Sequence, residues 1–149
     1  LLGEIRHRGM EVDDRSAMRE VANDLRATHG PAYIIEMLYE RALKRDEHVL
    51  VESIRAIGEA EFLKSKDVSI LAVDADRKLR YERIIARGAS TDHVDFDTWV
   101  MQEERELAST VPWDMNIIGV MRVADARIEN DGTLEELHAK VNEALSHIS

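Results

Sequence analysis

Three arginines on one predicted helix carry the clearest chemical signal in the chain. Arg80, Arg83 and Arg87 stand at i, i+3 and i+7, a spacing that lines their guanidinium groups along one helical face while Tyr81, Ile84 and Ile85 occupy another. A guanidinium is permanently charged and presents a fixed fork of donors, so this face suits a clamp for a polyphosphate. The competing reading is a solvated basic face paired with the acidic stretches 92–97 and 103–106. A second group surrounds Glu52, which closes the apolar run Val49-Leu50-Val51. A carboxylate there suits Mg²⁺, which prefers hard oxygen ligands and often keeps waters between itself and the protein; the plainer reading is an acidic residue where a buried strand meets solvent. Arg55 follows three residues later, either as a fork for phosphate or carboxylate oxygens or as an ion pair with Glu52 or Glu59. Asp74 closes another apolar run, and with Asp76 it reads either as part of a site or as helix-start chemistry.

These residues need elements to position them. The runs at 49–51 and 68–73 lack alternation, which predicts strands buried on both faces, and a third, weaker strand is predicted at 126–128. Ile57, Ala60 and Leu63 at helical spacing make the unit from 49 to 73 read strand, helix, strand, a parallel crossover. Helices are predicted over 1–8, 14–28, from Pro31 onward, 76–87, 96–107 and 133–148. Pro31 suits a first helical turn. Thr133 and Glu136 form a capping box, and Leu134, Leu137, Val141, Leu145 and Ile148 make one apolar stripe. The class is α/β. In an open parallel sheet ligands bind beyond the carboxyl ends of the strands, where Glu52 and Asp74 fall.

Length and composition narrow the functions. The chain has 149 residues, 44% of them hydrophobic, and 20 Lys+Arg against 30 Asp+Glu give a net charge of −10. That predicts one domain with a core of its own, over 1–149. The acidic balance argues against a nucleic acid as partner, since phosphate neutralisation needs a basic face. With no cysteine, disulfide scaffolds, thiolate metal sites and cysteine nucleophiles are excluded, and a cytoplasmic protein is expected. No apolar run approaches a membrane span, and the start lacks the pattern of a signal peptide. The histidines (His7, His29, His48, His93, His138, His147) show no ligand spacing, and no serine sits in a nucleophile elbow. Trp99 and Trp113 read as packing anchors. Asn130-Asp131-Gly132 is ordinary turn chemistry whose backbone could also border a base or an anion.

Taken in order, Val49 to Arg55, Ala72 to Asp76, Arg80 to Gly88, Gln102 to Glu106 and Ala124 to Leu137 resemble the P-loop nucleotide and nucleoside-phosphate kinases. The resemblance is to dephospho-coenzyme A kinase and, more closely, to the adenylate-kinase-related proteins of archaea and bacteria. It implies a three-layer α/β/α fold around a parallel sheet of order 2-3-1-4-5, with ATP and Mg²⁺ as cofactors and a small phosphate acceptor. It places Glu52 on Mg²⁺ through water, Arg55 and Arg80 on substrate, and Arg83 and Arg87 in catalysis on a lid-like region spanning 80–107. Asn130, Gly132 and Thr133 would border the adenine, and residues 1–45 would bind the acceptor.

Two departures accompany the resemblance. No G-x-x-x-x-G-K-[ST] occurs in the chain, so the backbone cradle and lysine for the β- and γ-phosphates are absent from it. The likeness starts at Leu1-Leu2, where relatives read Asp-Leu-Leu-Arg, and Gly3 stands where an acceptor-binding arginine often does. The expectation is therefore an upstream piece carrying the first two strands and the P-loop. Its first strand would lie between those at 49 and 68, leaving here a gap in the sheet, a direct closure or a borrowed partner. The leading reading is an ATP-dependent phosphotransferase. A catalytically degenerate nucleotide-binding or regulatory protein of the same fold is the alternative, and a helical interaction domain is the third. Segment 88–97, polar and opening on a glycine hinge, would close over a ligand.

Overall fold

The computed structural model describes residues 2–11, 15–45, 48–88, 94–111 and 113–148. In order they form α1 (Leu2–His7), α2 (Arg15–His29), α3 (Tyr33–Ala42), α4 (Ile57–Lys64), β1 (Leu71–Asp74), α5 (Arg77–Arg87), α6 (Phe96–Leu107), α7 (Ile117–Val123), β2 (Ala126–Glu129) and α8 (Leu134–Ile148). The protein is a mostly helical α/β structure in which β1 and β2 form a two-stranded parallel sheet, Leu71 opposite Ala126 through Asp74 opposite Glu129.

The first three helices pack in sequence, α1 on α2 and α2 on α3, and α3 then meets α4. Ile5 and Val21 seal the first contact, both fully buried. The main core gathers Ile35 of α3, Ala60 and Leu63 of α4, Ile70 ahead of β1 and Val120 of α7. Tyr39 closes one side by meeting Phe62 edge-on, with ring centroids 5.7 Å apart. Burying each large side chain contributes about 1.5–3 kcal/mol, so this cluster binds α3, the approach to β1 and α7 to α4. A second, aromatic cluster joins α5 to α6: Tyr81 lies 5.1 Å from Phe96 and 5.5 Å from Trp99, and its hydroxyl donates to the Val94 carbonyl at 3.0 Å.

Local chemistry sets the helix ends. Asp76 caps α5 by accepting from the backbone N–H groups of Lys78 (2.9 Å) and Leu79 (3.2 Å). Gly88 ends it in the left-handed region at φ 64°, where a side chain is disfavoured. Thr133 and Glu136 exchange their reciprocal bonds at 3.2 and 2.8 Å, the expected capping box of α8.

Several expectations need correction. Residues 49–51 form no strand: Val49 is 43% and Leu50 90% exposed, and among the described residues the hydrogen-bonded neighbour of β1 is β2 alone. Apolar, β-branched composition is insufficient where no neighbouring strand satisfies the backbone N–H and C=O groups. Of the three outcomes foreseen for the sheet, the segment at 49 and β1 stand apart. The second strand is shifted to Leu71–Asp74. Pro31 lies in the turn ahead of α3 rather than in its first turn, because Ala32 is the residue flanking the helix. Helix α7 was not foreseen. The stripe of α8 is only partly covered, with Leu134 63% and Leu145 46% exposed, because α8 packs chiefly on the short β2. Trp99 is buried as an anchor while Trp113 is not. The side chain of Ile148, Pro112 and residues 89–93 of the 88–97 segment, His93 among them, fall outside the described residues.

Candidate functional site

A cleft of about 770 Å³ opens beside the carboxyl end of β1. Its walls come from the loop 53–55, from Val73 and Asp74, from the inner faces of α5, α6 and α7, and from Arg127 of β2. Asp74 is its hub. One carboxylate oxygen accepts from Arg80 Nη1 at 2.7 Å and from the Ala75 N–H at 2.9 Å, and the other accepts from Arg127 Nη2 at 2.9 Å. Arg80 also donates to the Ala75 carbonyl and, through Nε and Nη2, approaches Glu103 Oε1 at 3.0 and 2.8 Å. Glu103 Oε2 is buried without an aligned donor, although Arg77 Nε stands 3.1 Å away. Arg80 thus ties β1 to α6 through carboxylates, the ion-paired reading weighed above for this face.

Arg55 reaches the cleft from a tightly held backbone. Its N–H donates to Glu59 Oε2 at 3.0 Å, its carbonyl accepts from Asn116 N–H at 2.8 Å, and its Nη1 lies 3.3 Å from Glu106 Oε2. The side chain therefore pairs with neither Glu52 nor Glu59: Glu59 is turned to the backbone, because its carboxylate serves the start of α4. Just before it, Ser53 takes φ 68°, a left-handed conformation costing a non-glycine residue on the order of 1 kcal/mol. Below lies Asp114. Burial pushes its carboxyl up, but donors from Asn23 and the Met115 N–H outweigh that and hold it below the usual range.

The remaining candidates divide. Arg83 Nη1 donates to the Asn130 carbonyl at 2.7 Å, and the Asn130 N–H donates to the Asp74 carbonyl at 2.7 Å. Arg83 and Asn130 therefore meet where the two strands end. Gly132 and Thr133 belong to the start of α8, where the Glu136 carboxylate lies over Gly132. Arg87 sits exposed in the last turn of α5, and Glu52 is exposed and outside the cleft lining. Among the described residues no group of three or more His, Asp and Glu side chains is placed to hold a metal ion, and no helix is long and apolar enough to cross a membrane.

Two charged cleft residues, Arg122 and Arg127, escaped the sequence reading as site candidates. Arg122 of α7 lines the cavity, and among the described residues it has no hydrogen-bonding or ion-pairing partner. Residues 117–123 are apolar at nearly every position, so the only available signal was the lone charge itself. Counting side chains, the cleft carries Arg55, Arg80, Arg122 and Arg127 against Asp74, Glu103 and Glu106, a surplus of one positive charge in a strongly acidic protein.

The chain is 30% identical to a UPF0200 protein of Sulfurisphaera tokodaii over 93% of its own length and 75% of that protein. A UPF0200 protein of Hyperthermus butylicus is 32% identical, covering 98% of this chain and 76% of its own. One of Methanosarcina acetivorans is 29% identical, covering 97% and 75%. The chain thus spans about three quarters of the length of these relatives. No family model and no solved structure matches it. With such identity carried along nearly all of its residues, the chain belongs to the UPF0200 family.

Proposed function

We propose that the chain is the larger part of an ATP-dependent phosphotransferase of the nucleotide-kinase type, with a three-layer α/β/α fold in its complete form, acting in the cytoplasm on a small acceptor. The observation that carries this reading is the convergence of guanidinium groups on a cleft at the carboxyl end of a parallel strand, the place where open α/β sheets take their ligands. Phosphoryl transfer requires little covalent work from the protein; positioning and charge neutralisation dominate. Arg83 and Arg87, which stand on α5 outside the cleft lining, supply that neutralisation, Arg80 orders the wall of the cleft, and Arg55 faces the acceptor. Asn130, Gly132 and Thr133 border the nucleotide.

The donor set bears on the cofactors. Guanidinium groups fit phosphate oxygens. The carboxylates of the cleft do not fit direct Mg²⁺ ligation, because Asp74 is held by Arg80 and Arg127, and Glu103 by Arg80. Mg²⁺ would reach this chain only through water on Glu52, and the β- and γ-phosphate cradle would have to come from outside these 149 residues. A specific observation favours the alternative, a degenerate nucleotide-binding protein: Asp74 and Glu103 share Arg80, and each has a further arginine beside it, Arg127 and Arg77.

The full polypeptide encoded by the gene provides the test. Mg-ATP raises its melting temperature on the kinase and degenerate readings alike, and Arg83→Ala or Arg87→Ala reduces the rise. No shift with any nucleoside triphosphate removes both. ATP consumption with a phosphorylated acceptor then selects the enzyme.

A further inference from the structure

The cleft has two unlike walls. On the α5 side the arginines are committed: Arg80 to Asp74 and Glu103, Arg83 to a backbone carbonyl. On the α7 side they are available. Arg122 has no side-chain partner among the described residues, and Arg55 engages only through Nη1, which lies 3.3 Å from Glu106 Oε2 and 4.0 Å from Met115 Sδ, with 38% of its side chain exposed. An unpaired guanidinium beside a half-engaged one retains most of its donors for a ligand.

One residue fixes these two arginines to a common frame. Asn116 donates its N–H to the Arg55 carbonyl at 2.8 Å, while its side-chain oxygen accepts from the Gly119 N–H at 2.7 Å and so caps α7, the helix that carries Arg122. The bearers of both guanidiniums are therefore joined through one residue, by its backbone N–H on one side and its side chain on the other, independently of α5. The cleft lining beside them is apolar, from Ile54, Leu107, Ile118 and Met121, and Ile118 stays 37% exposed. A ligand filling this side presents an anion to the arginines and a flat or apolar body to the wall.

We infer that Arg55 and Arg122 form an anion subsite for the phosphate of a phosphomonoester with a flat, weakly polar body, which is the acceptor on the phosphotransferase reading. The inference rests on that reading for the word acceptor, and on the cleft alone for the chemistry bound. Arg122 is the residue that separates a phosphorylated acceptor from an uncharged one. The unpaired fork of Arg122 and the remaining donors of Arg55 match the oxygens of a dianion, whereas a neutral alcohol would leave Arg122 with nothing to bind.

Calorimetry on the full polypeptide tests this with adenosine 5′-monophosphate, ribose 5-phosphate and adenosine as probes. The monophosphate binds the parent protein, and Arg122→Gln weakens it by about tenfold or more, the loss of one charge-assisted pair. Arg122→Lys restores part of the affinity, and adenosine binds both forms alike. Ribose 5-phosphate binds more weakly than the monophosphate but with the same dependence on Arg122. Unchanged monophosphate affinity in an Arg122→Gln variant that melts with the parent overturns the subsite, as does a parent that binds no phosphomonoester. The thermal shift with Mg-ATP separates the two claims. A shift without Arg122 dependence of the monophosphate defeats only the subsite, and Arg122 dependence without a shift defeats only the kinase reading.

Discussion

Arg26 and Glu59 face each other inside the protein, 33 positions apart in sequence, with Nε and Nη2 of the arginine 2.9 and 2.7 Å from one carboxylate oxygen of Glu59. They are 5% and 2% exposed. The second Glu59 oxygen accepts from the N–H groups of Arg55 and Ala56 at 3.0 and 3.1 Å. A single carboxylate thus locks α2 to the start of α4 and holds the backbone that presents Arg55. Removing one member of a buried pair strands the other charge, at a cost of about 3–5 kcal/mol. Glu59→Ala is expected to lose that much stability in urea unfolding. Arg26→Met combined with Glu59→Ala should lose less than the two single changes added together. A loss under about 1 kcal/mol for Glu59→Ala would mean the pair is not structural.

Asp125 gives a pH signature. Its carboxylate accepts from Lys64 Nζ and from the Ile70 N–H at 2.8 Å, and these bonds hold its carboxyl below the usual range. A group whose pKa is lower in the folded state adds stability above its unfolded pKa of about 4, and that contribution is lost as the pH falls through the folded value. Asp125→Asn should therefore destabilise by about 1 kcal/mol at pH 7, discounted for the partial exposure of the pair. Equilibrium unfolding repeated at falling pH checks the sign: the difference begins to shrink below about pH 4 and is gone once the pH lies below the folded pKa of Asp125. A constant difference across the range would show that the charge contributes nothing.

Gly119 marks the contact of α7 with α4. A Cβ there would stand 2.6 Å from Ile57 Cδ1 and 2.9 Å from Asn116 Oδ1. Gly119→Ala must therefore move the half-buried Ile57 side chain and the cap of α7, costing about 1–3 kcal/mol despite alanine's better helix propensity. Thermal melting of Gly119→Ala beside Gly58→Ala, whose Cβ would meet the ring of Pro31 at 2.6 Å, measures it. A stabilised Gly119→Ala protein would refute the close contact.

The unpaired segment at 49–51 makes a contrasting case. In the 149-residue chain Leu50→Ser should change stability by less than about 0.5 kcal/mol, because the side chain is already 90% exposed. Leu63→Ala, which empties a fully enclosed position of the core, should cost about 2–5 kcal/mol. Comparable losses from both substitutions would show that Leu50 is buried in solution.

What the sequence revealed followed from local rules. The capping box at Thr133, the cap at Asp76 and the stop at Gly88 each act within a few residues, and α5 and α8 stand within a residue or two of their predicted ends. Contacts distant in sequence were hidden. Nothing near Arg55 announces that Glu59 will turn to the backbone and leave the guanidinium to Glu106. The run Val49–Val51 has strand composition, but pairing is a property of two segments and its partner was not in view. Helix α7 has seven residues and apolar side chains on every face, so it shows no periodicity, and Arg122 was overlooked along with it. The α5 arginines were recognised as a set; their division between committed and exposed members depends on Asp74, Glu103 and Asn130 standing where the fold brings them.

The pairing of β1 with β2 also constrains how the molecule assembles. Leu71 finds Ala126 only after α5, α6 and α7 have been traversed, so this ladder cannot nucleate from neighbouring residues, and the entropy of closing so long a loop is lost before its first hydrogen bond forms. The helices, stabilised within their own turns, gain structure early, and the sheet is a late event. The mouth of the cleft, built where the strands end, is accordingly among the last parts of the protein to take shape on folding and should be among the first to open under mild denaturant.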